Sequence, residues 1–159
     1  METFVNGNGS MIIREYQSSD CKEITELFYN TVHTINAKDY TDEQLNIWAP
    51  RQLDLEKLNL SLQEHYSIVA VNNKVIVGFG DIDKMGYLDR LFVHANFQRK
   101  GIATAICNQL EHVVSGIITT HASITAKPFF EKRMYQVVKE HQIERKGVVI
   151  KNFIMRKII

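Results

Sequence analysis

Residues 88–113 read Leu88-Asp89-Arg90-Leu91-Phe92-Val93, a four-residue connection, and then Gln98-Arg99-Lys100-Gly101-Ile102-Ala103, running on to Val113. The first six residues continue a strand that starts at Tyr87. From Ile102 the apolar residues Ala105, Ile106, Leu110 and Val113 recur at helical spacing. A strand that feeds a glycine-bearing polar turn and then a helix start is a prepared anion site. The free N–H groups of the first helical turn converge there, and the helix dipole adds partial positive charge. Arg99 and Lys100 add full charges, Gly101 permits close backbone approach, and Ala103 keeps the next contact small. A pyrophosphate suits this arrangement better than a carboxylate. The loop is not GxxxxGK[ST], and its single glycine cannot supply GxGxxG. Taken alone, it is equally readable as a plain strand-to-helix connection.

Upstream, Met11 to Tyr16 is a short β-branched run, and Ser18-Ser19-Asp20 offers N-cap residues with Glu23 as capping-box partner. Ile24, Leu27, Phe28, Thr31 and Val32 then give an amphipathic helix to about His33. Thr41-Asp42-Glu43-Gln44 starts a short helix that stops near Pro50, and a further helical stretch runs from Leu53 to about Gln63. The period then changes. Tyr66 to Val71 and Lys74 to Ile82 are strands around an Asn72-Asn73 turn, and Lys84-Met85-Gly86 leads into the strand from Tyr87 to Val93. Downstream come a strand at 117–122, a helix from about Thr125 to Lys132, and closing strands at 134–143 and 147–157. Residues 1–10, METFVNGNGS, are Gly/Asn-rich and precede a second methionine. They read as an N-terminal extension, or a remnant of expression, with little role in the fold. Residues 11–159 are expected to form one domain.

At 159 residues the chain suits one domain with its own core. Its 19 basic and 18 acidic residues leave a net charge of +1, which gives no global field for neutralising phosphates and argues for a small-molecule partner over nucleic acid. Cys21 and Cys107 lie apart in expected helices with no zinc-ligand spacing, so they read as buried thiols of a reducing compartment, and no metal is implied. The sequence shows neither an apolar run approaching the ~20 residues of a membrane span nor a signal-peptide pattern, so cytoplasm is the default location.

The strand at 88–93 followed by Gln98-Arg99-Lys100-Gly101-Ile102-Ala103 resembles motif A of the GNAT acyltransferases, an apolar strand followed by Q/R-x-x-G-x-G/A. The element order resembles that superfamily over residues 11–157. Three stretches are similar to its bacterial YafP-like branch: Asp39-Tyr40-Thr41 with Gln44 and Trp48-Ala49-Pro50, then Leu91-Phe92-Val93, and Ala122 to Glu131 (ASITAKPFFE). The resemblance implies an α/β (α+β) fold with a mostly antiparallel sheet of about seven strands flanked by about four helices. It implies direct transfer of an acetyl group from acetyl-CoA to a small-molecule amine by a monomer or homodimer.

By the same resemblance, the backbone of Leu91, Phe92 and Val93 meets the pantetheine arm at a splay from the strand at 117–122. Gln98, Arg99, Lys100, Gly101, Ile102, Ala103 and Thr104 hold the pyrophosphate. Ser123 stands where many relatives have an Asn, and Phe129 and Phe130 wall the cofactor side. Many relatives place a Tyr four residues after the helix alanine, to protonate the departing thiolate. Counting from Ala126, this chain has Phe130 there, while Tyr135 is displaced by five residues, which leaves the general acid open.

Strand alternation puts Tyr87, Asp89, Leu91 and Val93 on one face, making Asp89 and Tyr87 candidates for taking a proton from the amine. Asp89 is equally readable as the ion-pair partner of Arg14 or Arg90. In the 33–50 segment, which borders the acceptor pocket in this superfamily, His33 is a third candidate base, with His33, Tyr40 and Trp48 as acceptor-contacting residues. Trp48 is also readable as an anchor of its helix. A non-catalytic acyl-CoA-binding module, favoured by Phe130, and an acetyltransferase acting on a macromolecule are the alternative readings.

Overall fold

The computed structural model describes the backbone of residues 2–6 and 9–159, and side chains from Met11 onward. Eight strands form one sheet in the order β1-β2-β3-β4-β5-β6-β8-β7. They are β1 (Glu2–Asn6), β2 (Gly9–Glu15), β3 (Tyr66–Asn72), β4 (Val75–Ile82), β5 (Tyr87–Val93), β6 (Ile117–Ser123), β7 (Gln136–Arg145) and β8 (Val148–Ile158). The helices are α1 (Cys21–Thr34), α2 (Asp42–Trp48), α3 (Leu55–Glu64), α4 (Ile102–His112) and α5 (Lys127–Lys132). The sheet is antiparallel throughout except at β5–β6, so the mostly antiparallel α/β architecture expected from the sequence is present.

Within the 1–10 stretch, read from the sequence as an extension, Glu2–Asn6 form β1 and residues 9 and 10 begin β2: Thr3 pairs with Ile12 and Phe4 with Met11. Thr3, Phe4 and Val5 are strand formers in a run too short to read without its partner.

The apolar periodicities bury two faces. On one, Ile102, Ile106 and Leu110 of α4 pack with Ile68, Val77, Leu88 and Ile118 of the sheet. On the other, Ile24 and Leu27 of α1 meet Val69, Ile76 and Phe79. Each such aliphatic side chain contributes roughly 1.5–3 kcal/mol by leaving water. The central run Ile68-Val69-Ala70 is wholly buried because both faces are covered.

Two local expectations are corrected. Asn73 and Lys74, at φ 49° and 68°, form the β3–β4 turn, whereas Asn72 stays in the ladder opposite Val75. Two left-handed central residues match the twist of the flanking strands. Glu23 does not close a capping box. Its Oε2 accepts the Ile76 N–H at 2.7 Å, joining α1 to the start of β4, while the Gln17 N–H donates to Asp20 Oδ2 at 2.9 Å. Thr41 and Gln44 do cap α2 reciprocally, at 2.8 and 3.2 Å.

Candidate functional site

Strands β5 and β6 pair in parallel at only two positions, Tyr87 with Thr119 and Leu88 with Thr120. Beyond them the strands part, and a cavity of about 590 Å3 passes between the two faces of the sheet. Tyr87, Asp89, Leu91 and Phe92 of β5 line it, with Ser123 of β6 and Phe130 of α5. From the α1–α3 side it is closed by Phe28, Tyr40 and Trp48, and from the closing hairpin by Ile143, Arg145 and Asn152.

The shared face expected for Tyr87, Asp89, Leu91 and Val93 is corrected by a bulge. Asp81 pairs with Arg90 and Ile82 with Leu88, which leaves Asp89 as the extra residue of β5. Leu88 and Val93, five positions apart, therefore both bury in the α4 core, with Leu91 packed against it. Phe92 packs on the α1 side, where Arg90 Nη2 donates to Ser61 Oγ of α3. Asp89 Oδ2 lies 3.5 Å from Arg90 Nη1. The same guanidinium holds Asp81, which also receives His65 Nδ1 at 2.8 Å. Burial pushes the Asp81 carboxyl up, and Arg90 and His65 pull it back. Asp81 Oδ1 has no partner among the described residues.

Tyr87 is driven up to about 12, by burial first and then by Asp89, so its phenol keeps its proton at neutral pH. Tyr40 is buried. Its hydroxyl donates to the Lys151 carbonyl at 2.7 Å and accepts the Ile124 N–H at 2.9 Å, pinning the β6–α5 turn to β8. Trp48 packs at angles against Phe28, Tyr40 and Phe92, with centroids 5.5–6.5 Å away. Ser123 Oγ accepts the Ala126 N–H at 3.0 Å, capping the turn into α5.

His33 is placed elsewhere, which corrects its expected position at the pocket. Its Nε2 donates to the Ala49 carbonyl at 2.8 Å, and its ring stacks on Tyr29, so it satisfies the C-terminal end of α2 and does not line the cavity.

The polar loop lies past the end of β5. Gln98 turns inward, donating Nε2 to the Val93 carbonyl at 2.7 Å, and Thr31 Oγ1 donates to the same oxygen at 3.1 Å. Arg99 and Gly101 are left-handed at φ 60° and 81°, and nothing lies within 4 Å of where a Gly101 Cβ would stand. The Ala105 N–H donates to the Gly101 carbonyl at 3.0 Å. The N–H groups of Ile102, Ala103 and Thr104 precede that first helical bond, and none of them has a hydrogen-bond partner among the described residues. Phe129 packs against Phe130, whose ring sits 5.0 Å from Tyr135. Tyr135 is itself buried, with its hydroxyl on Glu111 Oε2 at 2.8 Å, and does not line the cavity.

Sequence reasoning missed the α3 wall (Asp54, Lys57, Ser61), the hairpin wall and His121, all of which line the cavity. The signal for His121 was present: it lies two residues from Ser123 on the same face of β6. No helix among the described residues is long and apolar enough to cross a membrane.

Comparison with known proteins gives one answer. The acetyltransferase (GNAT) domain family matches residues 36–157. A curated relative, the uncharacterized N-acetyltransferase YafP of Escherichia coli K12, is 36% identical over 145 residues, covering 91% of this chain and 93% of the relative. Among solved structures, a GCN5-related N-acetyltransferase of Rhodopseudomonas palustris superposes with a TM-score of 0.90 at 25% identity, covering 100% and 99% of the two chains. The PaiA N-acetyltransferase of Thermoplasma acidophilum, solved with coenzyme A, superposes at 0.77 with 16% identity, covering 94% and 99%. With a family match over most of its length and a relative this similar from end to end, the chain belongs to the GNAT N-acetyltransferases.

Proposed function

We propose that this protein transfers the acetyl group of acetyl-CoA directly to the amine of a small molecule in the cytoplasm. The observation that carries the proposal is the cavity of about 590 Å3 through the β5–β6 splay, walled on its acceptor side by α2, α3 and the β7–β8 hairpin. That volume lies within the usual range for small-molecule sites. Its aromatic walls, Phe28, Trp48, Phe79 and Phe92 among them, suit a small-molecule acceptor.

The residues present fit a coenzyme A thioester. Gly101 leaves open space where any side chain would stand, and the unpartnered N–H groups at the start of α4, beside Arg99 and Lys100, suit a pyrophosphate. The β6-facing edge of Leu91, Phe92 and Val93, unpaired past Leu88, suits the amides of pantetheine. Gln98 holds the loop in shape, Phe130 and Ser123 line the cavity where the thioester end would lie, and Phe129 backs Phe130. Bound there, acetyl-CoA supplies an activated acyl group. Backbone N–H groups near Leu91 and Phe92 polarise the carbonyl, Asp89 and Tyr87 receive the amine, and Tyr40 and Trp48 shape its pocket.

The test is thermal unfolding with acetyl-CoA, using adenosine 3′,5′-bisphosphate and ATP as controls, followed by thiol release over a panel of amines. At 100 times its dissociation constant a ligand adds about 2.7 kcal/mol to stability, a shift of about 5 °C or more for a chain of this size. A shift specific to coenzyme A species with amine-dependent thiol release supports the reading. A shift without release from any amine returns the chain to an acyl-CoA-binding role.

A further inference from the structure

We propose that His121 is the catalytic base, taking the proton from the acceptor ammonium before attack on the thioester. This rests on the acetyl-transfer reading above. Along β6, Ile118, Thr120 and Ala122 are buried toward α4 and α5, which puts His121 on the opposite, acceptor-facing side with Ser123. Its ring lines the cavity at the parting of β5 and β6. It stands edge-on to Tyr87, 5.3 Å between centroids, and 5.2 Å from His141 on β7.

Neither ring nitrogen of His121 has a hydrogen-bond or ion-pair partner among the described residues. The competing groups are committed. Asp89 is tied to Arg90, Tyr87 holds its proton, His33 is bonded to Ala49, and His141 donates Nδ1–H to Asn152 Oδ1 at 3.0 Å. Tyr87 faces His121 with its phenol protonated, and the groups that set the proton affinity of His121 oppose one another. Burial and then His141 lower its proton affinity, and Asp89 from β5 raises it, with a net shift below the ordinary 6.5. The imidazole is therefore neutral at pH 7.

The step balances without a further reactant. The ammonium gives one proton to a His121 ring nitrogen, and the freed lone pair forms the N–C bond. The C–S bond breaks with its electron pair on sulfur. The second proton leaving nitrogen ends on that thiolate, which removes the need for a phenol at position 130. His121, exposed on one side, passes its proton to water.

The experiment is the pH dependence of kcat/KM for thiol release by the wild type, His121→Asn and His141→Asn, using the best amine of the panel, with acetyl-CoA melts of each. His121→Asn is expected to lose about 100-fold or more in kcat and the acid limb of the profile, with its acetyl-CoA melt shift intact. His141→Asn moves the acid limb upward by removing a like charge. Imidazole 15N shifts of the wild type provide a check independent of any variant, and place the His121 midpoint below 6.5. A His121→Asn enzyme with its acid limb retained and kcat within about threefold, or a His121 midpoint above 7, overturns the assignment and leaves acetyl transfer standing. No thiol release from the wild type with any amine overturns acetyl transfer, and this role with it.

Discussion

Gly101 enters α4 at φ 81° with open space where a side chain would project, so two substitutions there separate backbone from ligand effects. Gly101→Ala meets no atom and carries only the left-handed strain, about 1 kcal/mol. Gly101→Glu adds a carboxylate where a pyrophosphate is proposed. Its melt without ligand should stay within about 2 kcal/mol of the wild type, while calorimetric affinity for acetyl-CoA falls by about two orders of magnitude or more. Equal affinity in Gly101→Glu and wild type would move the pyrophosphate off this loop. The residue type and spacing made this position legible in the sequence. His33 and His121 show the limit of such reading. Both are histidines near expected pocket elements, and what separates them is the Ala49 carbonyl, 16 residues along the chain, which meets one ring and not the other. Such a contact is made by tertiary packing, which a linear pattern does not contain.

At the scale of elements, α4 lies so close to β4 that two glycines are required beneath it. A Cβ at Gly80 would stand 2.9 Å from the Arg90 carbonyl oxygen, 3.0 Å from Ile106 and 3.0 Å from Leu110. The oxygen is main chain and cannot swing aside, so Gly80→Ala is expected to destabilise by about 2 kcal/mol. It should also disturb the strand that carries Asp89 and Leu91. Urea unfolding measures the loss, and a change below about 0.5 kcal/mol would show that α4 can lift away. The helices and strands themselves were legible, because their apolar periods of 3.6 and 2 survive in the fold. The bulge at Asp89 was not. A single extra residue reverses the facing of everything after it, and Leu88-Asp89-Arg90-Leu91 contains no glycine or proline to announce it. That residue decides which β5 side chains face acceptor and which face α4, so the cofactor loop was readable while the catalytic face was not.

Across the whole molecule, stability toward acid depends on a few buried charges that join distant segments. Glu111 of α4 accepts Tyr135 Oη at 2.8 Å, Arg133 Nη2 at 2.9 Å and Lys157 Nζ at 3.1 Å, tying the α5–β7 turn and the end of β8 to one helix. Burial alone would raise its proton affinity, but Tyr135, Arg133 and Lys157 outweigh that and hold it below the usual carboxylate value. A carboxyl lowered in the fold gives stability that is present above its unfolded pKa and lost as pH falls through the folded one. His121, also lowered, adds a loss beginning as pH falls through 6.5, because the fold resists its protonation. Asp81 has the opposite sign. Raised in the fold, it favours the folded state below its unfolded value, and that gain fades as pH rises through its folded one. Glu111→Gln keeps the shape and leaves Arg133 and Lys157 without their anion, so at pH 7 it should cost about 3 kcal/mol in urea unfolding. The gap from wild type should narrow as pH falls below about 4.5 and close once pH has fallen through the carboxyl's lowered value in the fold. A gap that stays constant from pH 7 to pH 3 would mean the loss arises from packing around the side chain and not from its charge.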